Sequence, residues 1–221
     1  RVTAGFVRQG DPAGRLDAAL PIPEEGHEVQ RMLAMMEFLG VPPQNENVGA
    51  QFIAPKVEFP LWAEDHAAAD RLLMGAKGPL IGIHAAARDA TRQWALDRFA
   101  AVGAELLRRH GGTIVVLGDM QERDRGEMLI GKVNRAGLNL AGRTSLVELG
   151  AVIAGLSVLV TNDTGPAHIA YAVGTPTVTI FGSADPERYG PLQEGPFRIQ
   201  MYEVPCRPCG YTECPIGYKC L

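Results

Sequence analysis

The chain has 221 residues, 46% of them hydrophobic and 21% charged, which is the composition of an ordinary globular protein. A formal net charge of -4 supplies no global positive field to recruit nucleic acid or an acidic membrane surface. No apolar run approaches the roughly 20 residues that span a bilayer.

The length suits one large domain or one and a half. Arg1 leads at once into a strand-like segment, with no signal peptide and no initiator Met. The chain therefore reads as a fragment of a longer cytoplasmic protein. Taken in order, the pattern predicts a strand at Val2–Val7, a Gly/Pro loop at Gly10–Gly26 and a helix near Glu28–Leu39. Apolar Val29, Met32, Leu33, Met36 and Leu39 give that helix its spacing, and its methionines read as core filler. Val41–Pro60 is rich in Pro, Gly and Asn and reads as a linker. Trp62–Ala76 is a predicted helix.

A regular alternation follows. Strands are predicted near Leu80–His84, Thr113–Leu117, Leu138–Leu140, Val158–Val160 and Thr177–Phe181. Helices are predicted near Leu96–Arg109, Glu122–Arg135, Leu146–Ala154 and Pro166–Val173. Strand, helix, strand at this spacing implies βαβ units and an α/β, Rossmann-like, doubly wound parallel sheet. Such sheets hold ligands at the carboxyl ends of their strands. The polar residues gather at those ends: His84 and Arg88–Arg92, then Asp119, then Asn162–Thr164, then Ser183–Arg188.

The third cluster is the most informative. The strand run Val158–Val160 ends in Asn162-Asp163-Thr164-Gly165, and Pro166 opens a short Ala-rich helix closed by Gly174. A polar loop between a strand end and a helix N-terminus offers backbone N–H groups and the positive end of a helix dipole to an anion. His168 lies one turn inside that helix, on a face shared with Thr164 or Gly165. The arrangement points to a phosphate-bearing ligand with a histidine beside it.

Each residue also has a plainer reading. His168 also reads as a core histidine, and Asp163 alone as a helix cap, although Asn162, Asp163 and Thr164 together exceed one cap's needs. Arg88 and Arg92 follow the strand ending at His84, where arginine meets phosphate oxygens in a two-pronged fashion; Arg88 reads equally well as a solvated side chain. Trp94 reads as core, anchoring the next helix. Asp119 and Glu122 occupy a common ribose-binding position, or simply cap a helix. Gly126-x4-Gly131-Lys132 imitates a P-loop, but Val133 replaces the magnesium-binding hydroxyl and the run falls inside a predicted helix. Asp163-Thr164-Gly165 imitates an aspartic-protease triplet, but there is one copy, in an α/β pattern. No G-x-G-x-x-G follows a predicted strand, which weakens a nicotinamide-dehydrogenase reading. The tail Cys206-x2-Cys209-x4-Cys214-x5-Cys220 holds all four cysteines and leaves metal binding, disulfides and free thiols open.

Together these motifs resemble one family. Asn162 through His168, then Gly174-x-Pro176, Phe181-Gly182 and Gly190-Pro191, is similar to the signature of glycosyltransferase family nine, the lipopolysaccharide heptosyltransferases. Gly82-Ile83-His84 through Arg92-Gln93-Trp94 resembles the family's loop with a Lys-x-Trp element, and Asn139 through Leu146 and the cysteine tail also resemble family patterns. Two departures stand out. Arg92 occupies a position where Lys is common, and Ala86-Ala87 lack hydroxyls that some members carry.

The resemblance implies a GT-B fold, with this chain holding the C-terminal nucleotide-sugar domain (61–221) and the end of the N-terminal acceptor domain with its linker (1–60). It implies a metal-independent, cofactor-free, inverting transfer of a heptose or related sugar from ADP-heptose to a lipid A–core acceptor, with peripheral contact at the inner membrane. Arg92, Asp163 and His168 would be catalytic; Arg88, Asp119, Glu122, Thr164 and Gly165 would bind donor. The family's base, an N-terminal carboxylate, would be missing, so the chain alone would transfer little. A non-catalytic nucleotide-binding module and a GT-B-type UDP-sugar epimerase are the alternatives.

Overall fold

The computed structural model describes Ala4–Val7, Ala18–Pro21, His27, residues 57–133 and residues 137–221. The chain divides into two compact units, Arg1–Pro55 with Pro186–Leu192, and Lys56–Asp185 with Gln193–Leu221. The first contains two parallel strands, β1 (Ala4–Val7) and β2 (Ala18–Pro21), in register from Ala4↔Ala18 to Val7↔Pro21. Strand β2 corrects the predicted Gly10–Gly26 loop: a four-residue strand ending in proline carries no alternation long enough to be read. The short helix Pro186–Tyr189 also belongs to this unit, and His27 Nε2 donates to Gly190 O at 2.9 Å. The predicted helix Glu28–Leu39 and most of the predicted linker lie outside the described residues.

The second unit is built on six strands: β3 (Leu80–His84), β4 (Thr113–Val116), β5 (Gly137–Asn139), β6 (Val158–Asn162), β7 (Thr177–Phe181) and β8 (Phe197–Met201). They lie in the order β5-β4-β3-β6-β7-β8, and every pair is parallel. This confirms the predicted doubly wound α/β sheet and adds β8, a strand the sequence reading leaves out. The order reverses between β3 and β6, and that reversal opens a crevice at their carboxyl ends.

Helices α1 (Ala63–Leu72), α2 (Leu96–His110), α3 (Arg123–Lys132), α4 (Leu146–Ala154) and α5 (Gly165–Val173) cover the faces. Alternate strand residues face opposite ways, so one sheet needs two cores. Ile83, Ile114 and Val116 pack against Phe99 of α2 and Leu129 of α3. On the other face Val115, Leu117 and Leu159 pack against Val152 of α4, with Ala69 of α1 and Ala170 of α5. Trp94 packs on the first core and meets Phe99 edge-on, ring centroids 5.0 Å apart, as predicted. The P-loop imitation lies in α3, where Gly126 accommodates the Asn139 side chain. Gly174, at φ +81°, closes α5 in the left-handed conformation and lets the chain turn into β7.

Candidate functional site

A cleft of about 1120 Å³ opens at the carboxyl ends of β3, β4 and β6, where the strand order reverses. Arg88, Arg92, Asp119, Glu122, Asp163, Thr164 and Gly165 all line it. Seven of the eight residues singled out from the sequence thus line one cleft. His168 is not among the lining residues: it is half exposed, its Nε2 lies 4.0 Å from Asp163 Oδ1, and its ring meets Tyr171 edge-on.

The loop after β3 is held by a residue of β6. Asn162 is fully buried; its Nδ2 donates to Ala86 O at 3.1 Å and its Oδ1 accepts the Trp94 N–H at 3.0 Å. One amide therefore closes both ends of the segment carrying Arg88 and Arg92. Arg88 extends into the open, while Arg92 turns inward: Nη1 donates to Asp163 Oδ2 at 3.2 Å and Nε lies 3.8 Å from Asp89 Oδ2. Burial pushes the Asp163 carboxyl above the ordinary aspartate range, and the Arg92 guanidinium pulls the other way.

Three helical N-termini meet this cleft, and they differ in capping. Asp119 Oδ1 accepts from the backbone of Gln121 at 2.8 Å and Glu122 at 3.1 Å, and Glu122 Oε2 accepts the Asp119 N–H at 2.9 Å. Both acids therefore do the capping work that the sequence left open beside ribose binding. Ser145 and Glu148 form the same reciprocal cap on α4. Thr164, the N-cap residue of α5, does not cap its own helix. Its hydroxyl sits 3.1 Å from His84 Nδ1 and 3.2 Å from Asn162 O. The start of α5 thus faces the cleft with no side chain across it, flanked by the exposed Gly165 and by Pro166. A Cβ at Gly165 would meet nothing within 4 Å.

His84 ends β3 beneath this arrangement. It is 5% exposed, and its Nε2 donates to Glu122 Oε2 at 3.3 Å. That bond, with the Asp119 N–H and the charges of His84 and Arg125, holds the Glu122 carboxyl below the ordinary glutamate range, against the cost of burial. The sequence reading counts His84 among the polar residues at the strand ends but gives it no role of its own. Arg125 also lines the cleft; its Nε donates to Ala85 O at 3.1 Å. Its spacing of three from Glu122 puts both on one face of the turn, a signal the sequence reading did not use.

The four cysteines are unpaired in the structure: Cys206 is exposed and Cys220 buried. Among the described residues no group of three or more His, Cys, Asp or Glu is placed to hold a metal ion. No helix among the described residues is long and apolar enough to cross a membrane.

The strand order is that of a Rossmann-like, doubly wound sheet, with an uncapped helix start and two arginines at the carboxyl ends of its strands. Residues 4–219 match glycosyltransferase family 9 (heptosyltransferase), and the chain belongs to that family. The lipopolysaccharide core heptosyltransferase OpsX of Haemophilus influenzae is 25% identical over 183 residues, 82% of this chain and 50% of that protein. The chain thus spans half the length of this curated relative. Among solved structures, Escherichia coli ADP-heptose lps heptosyltransferase II superimposes with a TM-score of 0.74 at 20% identity, covering 93% of this chain and 63% of that one. E. coli heptosyltransferase WaaC with ADP-2-deoxy-2-fluoro heptose gives a TM-score of 0.53 at 21% identity, covering 84% of this chain and 52% of that one. These likenesses establish the GT-B type of fold.

Proposed function

We propose that the cleft is the donor site of an inverting sugar transferase, which takes a heptose or a related sugar from an ADP-sugar to a lipopolysaccharide core acceptor. The observation that carries this reading is the uncapped start of α5, beside Arg92 and Arg88, at the point where the strand order reverses. Two solved structures of similar fold, both of E. coli heptosyltransferase WaaC, are described with ADP-2-deoxy-2-fluoro heptose and with ADP, which supports an adenine nucleotide.

The demanding event is departure of the nucleotide diphosphate, as negative charge builds on the bridging oxygen. Arg92 and the backbone N–H groups of Thr164 and Gly165 stabilise that charge with groups already in place. Arg88 meets the outer phosphate oxygens, His168 donates to a phosphate oxygen, and Asp163 holds a sugar hydroxyl. Asp119 and Glu122 face the ribose. The acids lining the cleft already have partners: Asp163 and Asp89 lie by Arg92, Glu122 by His84, and Asp119 caps a turn. We place the base that deprotonates the acceptor hydroxyl outside this set, on the acceptor side, so that the donor side alone transfers little. Residues 1–60 belong to the acceptor side, 61–221 to the donor side, and the protein works at the cytoplasmic face of the inner membrane.

Calorimetric titration with ADP, UDP, GDP and NAD, repeated on Arg92→Ala and His168→Ala, tests the donor assignment. Selective ADP binding weakened by both substitutions supports it. A preference for UDP overturns the ADP-sugar in favour of a uridine-linked donor, and no binding of any nucleotide overturns the donor site in this chain.

A further inference from the structure

Thr91 precedes Arg92 in the three-residue 3-10 turn Ala90–Arg92 and is 1% exposed. Its polar atoms bond to segments far away in sequence. Its N–H donates to Thr212 O at 3.3 Å, and its hydroxyl donates to Tyr211 O at 2.6 Å. The same hydroxyl accepts from Ser183 Oγ at 3.1 Å, and Thr91 O accepts the Ser183 N–H at 3.0 Å. Tyr211 and Thr212 lie in the cysteine-bearing tail, and Ser183 lies in the turn after β7.

Tail and turn are tied to each other as well. Cys209 N–H donates to Ser183 O at 3.0 Å, and Arg207 donates from Nε to Gly182 O at 2.7 Å and from Nη2 to Phe181 O at 3.0 Å. Leu221 packs against the core beside α2. A Cβ at Gly182 would collide with Thr91 O, so the turn and the loop lie backbone to backbone. A single 3-10 turn has little internal stability, and its orientation follows from what it is bonded to.

We propose that Thr91 is a positioning residue, through which the C-terminal tail and the turn after β7 hold Arg92 against Asp163 and aimed at the diphosphate of a nucleotide donor. The donor part rests on the function proposed above; the positioning of Arg92 does not. The tail, which lies outside the cleft, thereby sets the geometry of a cation within it.

The test uses the whole 221-residue chain labelled with 15N, and reads the arginine Nε–H resonances, with Arg92 assigned from Arg92→Lys. In Thr91→Val the Arg92 resonance moves or broadens while that of Arg108, bonded to Glu105 on the surface of α2, stays in place. Thr91→Ser, which keeps the hydroxyl, returns the Arg92 signal. ADP titration of the same proteins gives a loss of about tenfold for Thr91→Val and for Arg92→Ala, and the double substitution loses little more than the worse single one. An unmoved Arg92 resonance in folded Thr91→Val, or fully additive losses, overturns the proposal. Should Thr91→Val fail to fold, Ser183→Ala removes only the hydroxyl bond and is read the same way. If the parent chain binds no ADP, the donor reading falls and the resonance arm alone decides the positioning of Arg92.

Discussion

Asn162 Oδ1 accepts the Trp94 N–H at 3.0 Å, and the same side chain donates to Ala86 O, so the end of β6 pins both ends of the loop that follows β3. Truncation would strip two buried backbone groups of their partners and leave a cavity. Asn162→Ala is expected to lose about 3 kcal/mol of stability, read from denaturant unfolding. A loss within 0.5 kcal/mol or so, the range of an ordinary surface change, would show that the loop is held elsewhere.

Asp163 makes this wall of the cleft costly at neutral pH. Its native carboxyl titrates above the ordinary value near 3.9 because it is buried. The native state therefore binds the proton more readily than the unfolded chain, and stability falls as pH rises from the ordinary value through the raised one. Asp163→Asn is expected to melt higher than the parent at pH 7, by about 1 kcal/mol in stability, and to lose that advantage near pH 4. Equal destabilisation at both pH values would contradict this.

Glu122 behaves in the opposite sense. Its carboxyl is held below the ordinary value near 4.3, first by the bond from His84. Its contribution is complete above the ordinary value and is lost as pH falls through the depressed one. Glu122→Gln is expected to cost about 1 kcal/mol at pH 7. The difference from the parent narrows below pH 4, measured by thermal melts across that range.

Gly182 carries the backbone contact between the β7 turn and Thr91. Gly182→Ala must push the two apart, at a cost of about 2 kcal/mol or more, and it frees the tail at the same time. Limited proteolysis is the direct check: new cleavage after Met201 is expected, and an unchanged digest would mean that the contact yields easily.

Cys214 and Cys220 sit in different environments. Backbone N–H groups of Ile216, Tyr218 and Gly217, with Lys219 nearby, favour the Cys214 thiolate, whereas burial pushes the Cys220 thiol up. Iodoacetamide near pH 7.5 is expected to modify Cys214 about fivefold faster or more, followed by peptide mass spectrometry. Equal rates would count against this environment for the tail.

The sheet was legible where apolar runs met clear punctuation. Strands Leu80–His84 and Thr177–Phe181 and helix Leu146–Ala154 fall where the sequence puts them, each framed by Gly, Pro or a capping Ser. Strand β8 escaped although Phe197-Arg198-Ile199-Gln200-Met201 alternates, because the run sits between Pro-rich segments and lies at an edge with four of its five residues exposed. The polar strand ends located the cleft. What they could not give was the direction of each side chain there. Asp119 and Glu122 fold back to cap a turn while Thr164 leaves its own helix uncapped, because His84, 80 residues earlier, lies within reach of the threonine hydroxyl.

Gly165 sits at the first position of α5 with open space where a side chain would go, and its φ is not in the positive range. Neither a close contact nor a left-handed backbone asks for glycine there. Its bare backbone leaves the start of α5 open to close approach from the cleft, so a side chain added there would be felt at the cleft wall rather than in the fold.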